Sequence, residues 1–182
     1  MDEPVQSVPL SLVRAPAAGF EEPFEMLAAC HERVARMLGL LERIQAHVAV
    51  HGADTDARQA ARDVMRYFDQ AAPHHHEDEE RHVLPRLRAH GQAALAERLH
   101  ADHEAMAAAW QRLREDLVAL AERGEAAAVP APDASGGWSA FTSLYRAHVA
   151  LEDTQAFPGA AAHADAAARE AMGREMAARR GI

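Results

Sequence analysis

From Phe24 onward, apolar residues recur at spacings of three and four, the pattern of helices that turn one face to a core. Phe24, Leu27, His31, Val34, Leu38 and Leu41 form a first stripe, which the segment His51-Gly52-Ala53-Asp54 breaks. Asp54, Thr55 or Asp56 can cap the next helix, whose stripe is Val64, Phe68, Ala71, His75, Glu79 and His82 and whose far end Pro85 is expected to kink. Beyond Gly91, the positions Leu99, His103, Met106, Trp110, Leu113, Leu117 and Leu120 alternate four and three without a miss. Gly124 and the stretch from Pro130 to Gly137 read as a linker, with Ser135 able to cap the fourth helix. Phe141, Tyr145, His148, Glu152 and Gln155 make the stripe of that helix, expected to stop before Pro158, and Asp165 to Arg180 reads as a short fifth helix. Pro4, Pro9, Pro16 and Pro23 deny a regular helix to the first residues, and nothing reads as a strand.

Four long amphipathic helices pack most economically with every stripe turned to one core. The expected fold is therefore all-α, an up-down antiparallel four-helix bundle over 24–158, with an extended arm over 1–23 and a helical extension over 159–182. Composition narrows the function. A hydrophobic fraction of 49% with 26% charged residues excludes a disordered chain, and no apolar run approaches the roughly 20 residues that span a bilayer, so a soluble protein without a membrane partner is expected. A net charge of -9 with no basic face argues against nucleic acid, and because all 19 cationic residues are arginine, lysine-dependent chemistry is closed off. Asp2, Glu3 and the lack of a sustained apolar stretch before Phe20 do not read as a secretory signal, so a cytoplasmic location is expected. Cys30 stands alone, so any metal would be held by nitrogen and oxygen.

The chemistry sits inside the stripes. Each is interrupted near its middle by one histidine, His31, His75, His103 and His148, and two carry a glutamate one turn later, Glu79 and Glu152. Buried unpaired carboxylates cost several kcal/mol each even after relaxation, and a divalent metal supplies the compensation. Residues i and i+4 share a helix face, so each H-x-x-x-E pair can converge on one ion. His75, Glu79, Pro85 and His148, Glu152, Pro158 share offsets of zero, four and ten, while His31 and His103 precede their partners by 44 and 45 residues, so the chain reads as two related helical hairpins. Imidazole with carboxylate suits iron, with manganese or zinc as competitors.

The segment His75-His76-Glu77-Asp78-Glu79-Glu80-Arg81-His82-Val83-Leu84-Pro85 resembles the H-H-x-x-E-E-x-x-L-F-P signature of hemerythrin-like HHE cation-binding domains, and His148 to Pro158 resembles its repeat. Asp102-His103 takes the place of the third-helix E-H of that family, and His31 that of its first-helix histidine. The resemblance implies a carboxylate-bridged pair of irons, one held by His31 and His75, the other by His103 and His148, with Glu79 and Glu152 bridging. It also offers His76 as a further ligand of the second iron, although His76 lies about 100° around the helix from His75.

The other histidines take plainer readings. His100 and His74 suit a solvated face, as do Glu77, Asp78 and Glu80. His82 suits a hydrogen-bonded core position or support for a ligand, and His47 or His51 is an alternative to His76 over one bundle end. Trp110, Met106, Phe68, Phe24 and Leu38 read as core, those within two turns of the histidines also walling a dry pocket, and Cys30 as an inert buried residue. Tyr145, one turn before His148, either packs or hydrogen-bonds an oxygen species at the metal. The resulting expectation is a di-iron protein that binds O2 or nitric oxide for carriage, storage or sensing. The alternatives are an iron-handling, cluster-repair, oxidase or peroxidase enzyme, and an interaction module that responds to metal or O2.

Overall fold

A computed structural model describes residues 19–122 and 136–182, so most of the arm, together with Gly124, Ser135 and the linker around them, lies outside the described residues. Among the described residues every regular element is helical. Helix α1 spans Pro23–His51, with Pro23 in the first turn, where its missing N–H costs nothing. It ends at Gly52, whose φ of 75° lets its N–H turn back to the Val48 carbonyl. Asp54 proves to be the cap of the next helix, its carboxylate accepting from the Ala57 amide at 2.9 Å.

That second helical run, 55–89, is α2 (Thr55–Arg66), a π-turn (Tyr67–Ala71), α3 (Ala72–Asp78), a second π-turn (Glu79–Val83) and α4 (Leu84–Ala89). Helix α5 (Ala93–Glu122) comes after the tight turn at Gly91. The run 137–161 is α6 (Gly137–Leu151), a third π-turn (Glu152–Ala156) and α7 (Phe157–Ala161), and α8 (Ala166–Arg179) closes the chain, capped by Asp165. Helix α1 packs on α2 and α6, and α5 packs on α2, α4 and α6, closing a ring of helices around the core. No helix among the described residues is long and apolar enough to cross a membrane.

The π-turns account for the places where a strict helical stripe misses the core by one residue. Each leads into a proline at the same offset: Tyr67 to Pro73, Glu79 to Pro85 and Glu152 to Pro158. A proline inside a helix has no N–H to donate, and its ring presses on the carbonyl four residues back. One extra residue per turn loosens the ladder there, with Ala72, Leu84 and Phe157 donating instead to the carbonyls of Tyr67, Glu79 and Glu152. Neither Pro85 nor Pro158 therefore ends its helix, and the run through Pro158 continues to Ala161. The inserted residue also shifts the face. Ala71 and Gln155 are exposed and His82 is half-buried, while their neighbours Ala72, Ala156 and Val83 take the core positions.

The core is divided in two. Val34, Leu38, Leu41, Val64, Phe68, Met106, Leu113, Phe141 and Tyr145 belong to one apolar compartment. Phe24, Leu27, Val83, Leu84, Leu99, Phe157, Met172 and Met176 belong to the other. Trp110 departs from its expected core position: it is half-buried against the first compartment and its indole N–H donates to Asp69 at 3.0 Å.

Candidate metal centre

Among the described residues the buried polar side chains are His31, His75, Asp78, Glu79, His103, Thr142, His148 and Glu152, and all six of the inward-facing residues expected from the stripes are among them. Glu79 and Glu152 are both 0% exposed. Two groups could each hold an ion: His31, His75, Glu79 and Glu152, and His76, Glu79, His103 and His148, the donor atoms of each group lying within 4.8 Å of one another. Glu79 is common to both.

The carboxylates face both ways. One oxygen of Glu79, Oε1, lies 3.0 Å from His75 Nε2 and 3.9 Å from His31 Nε2, while Oε2 lies 3.4 Å from His103 Nε2. Glu152 Oε2 lies 3.1 Å from His31 Nε2 and 3.1 Å from His148 Nε2. Both oxygens of each glutamate, with His31 Nε2, His103 Nε2 and His148 Nε2, are buried without a hydrogen-bond partner. Such orphaned groups are rare in folded chains, and a set containing only imidazole nitrogens and carboxylate oxygens fits a divalent cation of the iron, manganese or zinc type.

His76 does reach the centre. Its ring stacks on His103, with centroids 4.4 Å apart at 16°, and its Nε2 lies 3.4 Å from the Tyr145 hydroxyl. Tyr145 thus meets a histidine of the second group, its hydroxyl held in place by the first apolar compartment.

Three acidic residues stand behind the histidines in a role that sequence reasoning missed. His31 Nδ1–H donates to Asp153 at 2.8 Å and His103 Nδ1–H to Glu80 at 2.7 Å, which leaves each Nε2 lone pair aimed at the centre. Asp102 stands 3.5 Å from His148 Nδ1. A signal for the first two is present in the chain: an acid directly succeeds each inward glutamate, Glu80 after Glu79 and Asp153 after Glu152. The two hairpins cross over, the acid of each orienting the lone histidine of the other.

Glu77 to Glu80 is thus no simple exposed face, since Glu80 is half-buried and Asp78 fully buried against Arg179 and Arg180 of the C-terminal end. The remaining histidines stand apart from the centre. His82 Nε2–H donates to Glu175 at 2.6 Å, His47 pairs with Asp54 at 2.8 Å and lies against His51, and His100 is exposed beside Glu80. His74 is exposed, and Cys30 is half-buried beside His75 instead of fully enclosed.

The electrostatics express an appetite for positive charge. Burial opposes protonation of His75, yet the Glu79 carboxylate together with Cys30 and Glu152 outweighs it and holds the imidazole well above its ordinary value. His31 and His103 also end above theirs, burial being overcome by Glu152 in the first and by Glu79 in the second. Burial likewise opposes ionisation of Glu79, but His75 and His103 hold its carboxyl well below the usual range. His76 goes the other way, pushed well below by burial and by the neighbouring His103, so it stays a neutral donor.

Fold and site together define a class: a helical bundle whose waist is lined with imidazole and carboxylate groups suited to metal cations. A family model described as the hemerythrin HHE cation binding domain matches residues 22–160, and the chain belongs to that family. Metal-ion binding accords with that membership and with the two donor groups. The chain is also 37% identical over 70 residues to an uncharacterized protein of Haemophilus influenzae, a match covering 38% of this chain and 41% of that protein. The matched stretch is thus less than half of either protein.

Proposed function

We propose that this chain is a di-iron protein that binds O2 or nitric oxide, acting in the cytoplasm, with an up-down four-helix bundle over 24–158 carrying the centre. His31 and His75 would hold one iron and His76, His103 and His148 the other, with Glu79 and Glu152 the carboxylates placed between them. The observation that carries the reading is the set of buried, orphaned donor atoms, with Glu79 common to both groups. When bound, a ferrous pair supplies electrons and an open coordination position for a diatomic ligand.

The protein residues supply the rest. Asp153 and Glu80 fix the tautomers of His31 and His103, keeping the Nε2 lone pairs free. Phe157, stacked on His31 at 5.1 Å, and the two apolar compartments exclude water from the waist. Tyr145 brings a hydroxyl to the side where His76 is half-buried, a position from which its O–H can donate to a small ligand. The acids nearest the centre are occupied in orienting histidines, an arrangement that favours binding over turnover.

The test is anaerobic protein loaded with ferrous iron and exposed to O2 or nitric oxide. A stoichiometric, reversible optical change is expected. Sustained consumption of O2 or peroxide, or transfer of iron to an apo-acceptor, would replace this reading with an enzymatic or iron-handling one.

A further inference from the structure

Helix α8 lies beyond the residues that the family model matches, yet it is tied to the turn that carries Glu79. Asp78, directly before Glu79, is 0% exposed. Its carboxylate accepts from Arg179 and, through both oxygens, from Arg180, at 3.2 Å to Oδ1 and 2.7 Å to Oδ2. The same helix reaches three further residues of the segment: Arg179 lies 3.4 Å from Glu77, and Glu175 lies 3.5 Å from Arg81 and 2.6 Å from His82. Met172 and Met176 belong to the same apolar compartment as Val83, Leu84 and Leu87. On another side α8 lies close to Phe20, since a Cβ at Gly173 would come within 1.8 Å of the Phe20 carbonyl oxygen.

Residues 77–83 are therefore held from outside the bundle at nearly every step. A π-turn is the segment of this helix with the loosest hydrogen-bond ladder, and Glu79 is its first residue. A buried carboxylate bound by two guanidinium groups is a rigid anchor, because planar multidentate pairs fix orientation as well as distance. Neither arginine belongs to the donor groups, so the effect of the ion pairs passes through the backbone of Asp78 and Glu79.

We propose that Asp78, Arg179 and Arg180 are positioning residues for the centre: α8 is a strap that holds the π-turn and, through it, the Glu79 carboxylate between the two donor groups. The strap rests on the metal-binding function proposed for the centre, but it makes a separate claim about the metal-free chain.

The experiment compares the parent chain with Arg179→Ala/Arg180→Ala, its Arg179→Lys/Arg180→Lys counterpart, the near-isosteric Asp78→Asn, and Arg174→Ala as a control on the exposed face of the same helix. Amide hydrogen exchange of metal-free protein is read at residues 76–84, and release of bound manganese to a chelator is timed in loaded protein. The double alanine variant and Asp78→Asn should lose protection at 76–84 while α1 and α5 keep theirs. Both should also release metal about tenfold to a hundredfold faster, the usual effect of removing support behind a ligand. The lysine variant should recover part of the loss, and Arg174→Ala should match the parent. Unchanged exchange at 76–84 in Asp78→Asn and the double alanine variant would overturn the strap. So would unchanged release from variants that still load metal. If the parent takes up no metal, the di-iron reading fails, and exchange still decides whether α8 holds the turn.

Discussion

The two donor groups at the waist share Glu79 but are built differently. His31, His75, Glu79 and Glu152 are all buried, with Phe157 stacked flat against His31. His76, Glu79, His103 and His148 offer one more imidazole, and His76 is only half-buried, beside the Tyr145 hydroxyl. A group enclosed on every side suits an ion that stays fully coordinated, whereas the side reached by a neutral imidazole and a phenol suits an ion that exchanges a ligand. Two donor groups that share a residue therefore need not be equivalent.

The shared residue should give the largest effect. Glu79→Ala removes a donor from both groups, so metal content at saturation is expected to fall from two ions per chain to none, measured by elemental analysis after removal of loose metal. One step down, His31→Ala and His103→Ala should separate the groups. Each should keep about one ion, and cobalt-loaded samples should show different residual spectra, since the surviving donor sets differ. Identical behaviour of these two variants would mean that the waist titrates as a single undivided site.

Smaller again, Tyr145→Phe should leave the metal count unchanged while a bound diatomic ligand dissociates about fivefold faster, the loss expected for one hydrogen bond worth about 1 kcal/mol. An unaltered dissociation rate would assign Tyr145 to packing alone. The smallest effect concerns the strap. Arg179, with His82, holds the Glu175 carboxyl down at about 2. A carboxyl lowered on folding stabilises the native state above its unfolded value of about 4.3, and that contribution is lost as pH falls toward 2. Glu175→Gln should therefore flatten the acid limb of the stability curve between roughly pH 4.3 and 2, slightly, because the group is partly exposed and screened. A curve superimposable on the parent would remove Glu175 from the strap.

The helices and the inward ligands are legible in the chain because a period of three and four is imposed by helix geometry on every turn, and His31, His75, Glu79, His103, His148 and Glu152 obey it. The π-turns break that period by a single residue, so a regular stripe lands on Ala71, His82 and Gln155, one position away from the true core residues. The offset from Tyr67 to Pro73, matching those from Glu79 and Glu152 to their prolines, is the available signal. His76 is legible as a residue but not as a contact, since its approach to His103 and Tyr145 depends on how the helix is set between two such turns. Asp153 and Glu80 act across 122 and 23 residues, and Asp78 meets arginines 101 and 102 residues away. Separations of that kind leave no periodic trace, and a run of acids such as Glu77 to Glu80 looks solvated until the partners are seen.

Glu79, the one residue common to both donor groups, is the feature on which the proposed centre stands or falls. The decisive measurement counts ferrous ions bound per chain in an anaerobic equilibrium titration, for the parent and for Glu79→Gln. Two ions in the parent, with both weakened together in the variant, is the expected result. A single ion in the parent, or a variant that still binds two with unchanged affinity, would contradict it.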